Sequence, residues 1–263
     1  MPDVRPAAVA GMFYPDTPAL LGDQVRTYLA EAGASSEPTW PKALIVPHAG
    51  YVYSGPIAAS AYGQLASGRE AIRRVVLLGP VHRVPVRGLA LPDASFFATP
   101  LGRVAVDREA SALARSLPQV VVDAAAHAHE HSLEVQLPFL QSVLAAFSIV
   151  PFAVGDASAE EVAAVIELLW GGSETIIVVS SDLSHYHVYA DAQRIDRATV
   201  DDIQALASTL DHEQACGATP INGFARCARR HALSPKLLDL RNSGDTAGDK
   251  SRVVGYAAFA FSA

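Results

Sequence analysis

Short, nearly continuous apolar runs alternate with longer amphipathic stretches along this chain. Residues 43–47 (ALIVP), 74–78 (RVVLL), 149–154 (IVPFAV) and 176–180 (IIVVS) lack the polar alternation of a half-exposed strand. Such runs predict strands buried on both faces, as in a parallel sheet. Between them, apolar positions at helical spacing predict helices over 18–32, 56–65, 107–117, 131–145, 159–169 and 191–207, with another near 221–231. Asp107 and Ser158 stand where N-caps belong, each with an acidic side chain close behind in the first turn. The tail adds strands at 236–240 and 252–261, the second a candidate antiparallel edge. This alternation predicts an α/β fold. One domain over 1–263 is expected, with a mostly parallel or mixed sheet covered by helices on both faces.

Composition narrows the functions open to such a fold. Half of the 263 residues are apolar and 18% are charged, enough for a sizeable core and too apolar for disorder. A formal net charge of -7 argues against nucleic acid or an anionic membrane as the main partner. No apolar run approaches the ~18 residues that span a bilayer, and the opening MPDVRPAAVAGMFYPD does not read as a secretory signal. Two cysteines, Cys216 and Cys227, do not make a disulfide framework, so a reducing cytoplasm is the expected location.

The histidines carry the chemical signal, because several follow predicted strands. His48 comes after the first run and is followed by Gly50, which permits a tight turn; His82 comes after the second, past a Gly-Pro break. Asp182 and His185, in SSDLSH, follow a third. Ligands of open α/β sheets bind at the carboxyl ends of the strands. A lone histidine there is usually an ordinary loop residue, but three independent occurrences point to a site. In HAHEHSLEVQ, His127 and His129 read as a solvated loop, whereas His131 is a candidate for function. Cys216 precedes Gly217 and a helix beginning near Pro220, a setting that lowers a thiol pKa and suits metal binding; a small buried hydrophobe is the equal alternative. Cys227 lies on an apolar helical stripe with Phe224 and reads as core. HExxH, CxxC, P-loop, GxGxxG and GxSxG motifs are all missing, so the metal reading rests on fold position.

With these residues in hand, the chain resembles the Memo family, which includes the bacterial and archaeal AmmeMemoRadiSam system protein B group. RPAAVAGMFYP at 5–15, PHAGYVYSG at 47–55, LLGPVH at 77–82, EHSLEVQLPFL at 130–140, VVSSDLSHY at 178–186 and CG at 216–217 match its motifs in order and spacing. The family is similar in fold to the class III extradiol dioxygenases, which cleave catechol rings with non-haem Fe(II) and O2. The resemblance implies that His48 and His82 are ligating histidines. It puts Cys216 where the dioxygenases carry a ligating glutamate, His185 in the place of their acid/base histidine, and His131 in that of a second active-site histidine. Asp182 lies at the same rim, as ligand or orienting partner. The resemblance makes Fe(II) the expected metal, and a thiolate, softer than the carboxylate it replaces, also admits Cu or Zn.

Three functions are compatible with this reading. The first is a non-haem Fe(II) dioxygenase-like enzyme acting with O2 on a catecholic or other phenolic compound. The second is a non-catalytic metal-binding redox module that recognises protein partners. The third is a zinc hydrolase, for which only Asp182 or Glu134 offers a base. Cleft shape separates the first two, since an enzyme needs a pocket over the metal and a docking module a shallow, apolar-rimmed surface.

Overall fold

Each buried apolar run becomes a strand of one mixed sheet. The computed structural model of the protein describes residues 3–33 and 37–263. The first half contains β1 (Val4–Arg5), α1 (Pro18–Ala32), β2 (Ala43–Val46), α2 (Tyr51–Tyr62), β3 (Arg74–Pro80), β4 (Leu89–Leu91), β5 (Phe96–Thr99), β6 (Gly102–Val106), α3 (Arg108–Ala114) and β7 (Val120–Val122). There follow α4 (Ala124–Ala128), α5 (Leu137–Val143), β8 (Ser148–Val154), α6 (Ala159–Leu168), β9 (Thr175–Ser180) and β10 (His185–His187). The chain ends with α7 (Tyr189–Gln204), α8 (Ala218–Arg230), β11 (Ser234–Asn242), α9 (Ser243–Thr246) and β12 (Val253–Ser262).

The sheet runs in the order β1-β5-β6-β8-β3-β9-β2-β12-β10, with β11 beside β12 and β4 beside β8. Strands β6, β8, β3, β9 and β2 are mutually parallel, and β12 joins β2 antiparallel, as the tail pattern predicts. Side chains alternate between the faces in the two-residue period of a strand. Leu44, Val46, Val75, Leu77, Ile176 and Val178 pack beneath α1, α2 and α5. Ala43, Ile45, Val76, Leu78, Ile177 and Val179 pack beneath α3, α6, α7 and α8. Coverage on both faces is why these runs carry no polar alternation.

The connections create the crevice. The chain crosses from β2 to β3 over the position of β9, and returns from β8 to β9 over β3. The pairs Val46↔Ser180 and Leu78↔Val179 hold the carboxyl ends of β2, β9 and β3 level. His48, Asp182 and His82 therefore leave three adjacent strands at one edge, the switch point of an open sheet.

Both expected N-caps are present. Asp107 Oδ1 accepts from Ala110 N at 2.9 Å, and Ser158 forms a capping box with Glu161. Two helices differ from expectation. Helix α2 starts at Tyr51 rather than 56 and contains Pro56, which leaves the Val52 carbonyl without its usual donor on an exposed turn. The stretch 131–145 is not one helix, because the Glu130 carboxylate takes the amides of His131 and Ser132 at 2.9 Å each. A 3₁₀ turn at Glu134–Gln136 then leads into α5.

Candidate metal centre

His48, His82 and His131 converge above the ends of β2, β3 and β9. Their candidate ligand nitrogens all lie within 4.8 Å of one another. The rings of His82 and His131 stack with centroids 4.6 Å apart, and His48 meets both edge-on at 5.2 and 5.4 Å. His48 is buried while His82 is exposed, so the cluster has a closed floor and an open side.

Hydrogen bonds settle which nitrogens face the centre. Ser180 Oγ donates its single proton to Ser132 O at 2.7 Å and accepts from Gln136 Nε2 at 2.9 Å. Its 2.8 Å contact with His48 Nδ1 therefore has the imidazole as donor, and His48 Nε2 keeps the lone pair. Likewise His82 Nδ1 donates to Glu130 Oε1 at 2.8 Å, so Nε2 is its candidate ligand atom. Glu130 also accepts the His82 amide at 2.6 Å. Burial pushes the Glu130 carboxyl pKa up, but the hydrogen bonds from the His82 ring and from the Ser132 and His82 amides together outweigh it and hold it down at about 2. An ionised carboxylate fixing the ring of a histidine is the usual support of a metal-ligating imidazole.

The other two histidines of the cluster resist protonation. Burial, then the neighbouring His82 and His131, lowers His48 well below the ordinary imidazole range. Burial, then His82, takes His131 down to about 4. His48 and His131 thus offer neutral nitrogen donors at ordinary pH, the form that binds a cation.

Cys216 is not part of this three-histidine group but touches one member: its Sγ is 3.3 Å from His48 Nε2 and accepts from Asp182 N at 3.3 Å. Nitrogen and sulfur bound to one ion at about 2.1 and 2.3 Å, at ordinary coordination angles, stand roughly 3.1–3.6 Å apart, so the pair fits a shared metal. The expected lowering of the thiol pKa does not occur. Burial, then the charge of Asp182, pushes it up to about 12. Helix α8 begins at Ala218, and its end does not offset that burial. The thiol has two acceptors in reach, His48 Nε2 at 3.3 Å and Asp182 O at 3.6 Å, and a bound cation would displace its proton.

Asp182 is 4% exposed and accepts the His48 amide at 2.7 Å, so it orients the loop that carries His48. Burial raises its pKa. His185 lines a cleft of about 600 Å³ together with His131 and Asp182, and Phe13, Tyr53, Tyr186 and Tyr256 supply aromatic surface there. A second cavity of about 500 Å³ opens on the His82 and Cys216 side.

Glu134 proves to be scaffold. It is fully buried, pairs with Arg5, and accepts Tyr14 Oη at 2.5 Å and the amides of Ala8 and Val9. Those bonds pin the N-terminal segment and leave Glu134 no role as a base. His127 is not a solvated loop residue either: it is 2% exposed on α4, with Nε2 2.9 Å from Ala90 O. Cys227 is core as expected. Glu130, Ser180 and Gln136 escape sequence reasoning. Only Glu130, the one acid inside the alternating histidines of HAHEHS, left a signal.

A sheet with imidazoles gathered at its switch point defines an α/β protein with a candidate metal centre. The chain belongs to the Memo family, whose model, described as Memo-like protein, matches residues 5–260. A MEMO1 family protein of Aeropyrum pernix is 37% identical, with 97% of this chain and 98% of the relative covered. Those of Sulfolobus acidocaldarius and Thermotoga neapolitana are each 36% identical, covering 98% and 96% of this chain and 99% and 98% of the relatives.

Proposed function

We propose that this protein is a non-haem iron enzyme of the extradiol dioxygenase type, acting with O2 on a catecholic or other phenolic compound. The observation that carries the reading is a histidine cluster whose His131 lines a cleft that also holds His185, a histidine outside the ligand group. His48, His82 and Cys216 are the proposed ligands. His131 is proposed as an active-site imidazole, close enough to the other two to serve as a donor. Fe(II) suits a nitrogen-rich centre with an open side, and Cu or Zn suits the thiolate. Bound Fe(II) would supply Lewis acidity and one-electron chemistry toward O2.

The protein's own part is positioning and proton handling. Phe13, Tyr53 and Tyr256 offer apolar walls for a flat ring beside His131, and the separate cavity at His82 leaves room on the other side of the cluster. The His185 imidazole is placed to accept a proton from a phenolic hydroxyl directed at the cluster. Glu130 and Ser180 hold the rings of His82 and His48 still while this happens. Replacing His185 with Ala should keep the metal and lower ring cleavage by roughly 10²–10⁴, measured as O2 uptake with a catechol panel. Loss of metal in that variant, or no O2 uptake by iron-loaded wild type with any catechol, would contradict the proposal.

A second reading has its own support. Met12, Val52, Tyr53, Tyr186 and Val188 are exposed apolar residues near the cleft in sequence or space, as a metal-binding module with protein partners would need. Metal binding without O2 uptake would favour it.

A further inference from the structure

The cleft that holds His131 and His185 carries a cation at its rim. Arg252, in the loop before β12, lines it beside Tyr186. The Arg252 side chain is exposed, and its guanidinium carbon stands over the Tyr186 ring, 5.1 Å from the centroid. Stacking of this kind engages the flat face of a guanidinium and leaves its in-plane N–H donors free. Among the described residues no carboxylate pairs with that guanidinium. Asp249, the nearest acid in the chain, is turned to Ser251 instead and accepts its amide at 2.7 Å.

Tyr186 adopts a strained backbone to stand there. His185 pairs with Val254 and His187 with Val253, so Tyr186 is the extra residue of a bulge in β10, and its φ is 63°. A bulky side chain in the left-handed region is unfavourable and persists where its surroundings dictate it, often at a ligand site. The ring is 62% exposed, and it touches two groups of the cleft. The His185 ring centroid is 5.7 Å away on one side, and the Arg252 guanidinium stacks on the ring face.

We propose that Arg252 binds a carboxylate carried by the ligand of this cleft, which makes that ligand a phenolic carboxylic acid. The inference rests on the phenolic reading above and narrows its substrate class. A guanidinium offers a carboxylate two parallel N–H donors, and an exposed one stays accessible to an incoming anion. The charges also set the orientation. Asp182 is buried and committed to the His48 amide at 2.7 Å, so an acid group placed beside it would be repelled. The carboxylate therefore stays at the rim with Arg252, and the hydroxyl end faces His131 and His185. Asp249 also lines the cleft, and its charge keeps the preference for an acid modest.

A pair of ligands alike in shape and different in charge tests the proposal: 4-hydroxybenzoate and its neutral amide, 4-hydroxybenzamide. Titrated into ¹⁵N-histidine-labelled full-length protein, the acid should move the His185 resonances saturably. It should bind roughly three- to thirtyfold more tightly than the amide, the worth of one partly exposed charged pair. R252Q should erase the difference between the two compounds, and circular dichroism should show its fold unchanged, since the side chain is exposed. Equal affinities in wild type, a full preference for the acid retained in R252Q, or no saturable binding of the acid would each overturn the proposal. Neither compound is a catechol and only binding is read, so the result stands apart from ring cleavage. An acid preference lost in R252Q, with no O2 uptake on any catechol, would sink the dioxygenase reading and leave the role of Arg252 in place. O2 uptake on catechols with no acid preference would do the reverse.

Discussion

Replacing Glu130 with Gln keeps the side chain's shape but turns one acceptor oxygen into a donor, facing groups that are all donors. Oε1 takes the His82 ring and the amides of His131 and Ser132, while Oε2 takes the His82 amide. Metal affinity should fall about 10- to 100-fold, as for other supports of a ligating histidine. Chelator competition measures this, and an unchanged affinity would mean that other contacts align His82. His127 supplies a second prediction. Its folded-state pKa of about 4 lies below the unfolded value of 6.5, so the unfolded chain takes up the proton first. The stability it contributes is complete above pH 6.5 and is lost as pH falls toward 4, by roughly 3 kcal/mol at most. H127F should flatten that part of the urea-midpoint profile between pH 7 and 4.5; an identical profile would show that His127 stays neutral for another reason. The sequence revealed His48, His82, Asp182 and His185 because each follows a strand run. Glu130 and Ser180 depend on contacts across 48 and 132 positions of chain, which no local pattern records.

At the scale of elements, the centre depends on how closely α8 approaches the end of β9. A Cβ on Gly217 would lie 2.6 Å from Ser181 Cβ and 2.8 Å from Ser180 O. Gly217→Ala should push the start of α8 outward, destabilise the fold by about 1–3 kcal/mol and expose the adjacent Cys216. A faster reaction of Cys216 with a thiol reagent in the folded state, together with a lower melting temperature, is the expected result. Unchanged values of both would show that the helix end yields freely. The four buried runs were legible as strands because coverage on both faces leaves only apolar residues. Strands β4 to β7 were not, since β4 is only three residues long and β5 to β7 are three to five residues long and partly exposed. The start of α2 was hidden by Pro56, which reads as a first-turn residue but sits mid-helix.

For the molecule as a whole, the two faces of the sheet carry separate apolar cores, and His48, His82 and Cys216 belong to neither. The candidate metal centre thus stands at the edge of a scaffold that has its own packing, and among the described residues no helix is long and apolar enough to cross a membrane. The candidate site was readable in outline from strand-end positions and family motifs, whereas the crowding of His131 against His48 and His82 emerges only from the folded chain. Metal stoichiometry with X-ray absorption at the bound ion, in anaerobically loaded wild type and in H48A and H82A, tests the central claim most directly. The account predicts one ion per wild-type chain with imidazole nitrogens and one sulfur in its first shell, and near-complete loss of that ion in both variants while circular dichroism shows the fold intact. Full metal content in folded H48A and H82A, or no ion bound by wild type, would contradict it.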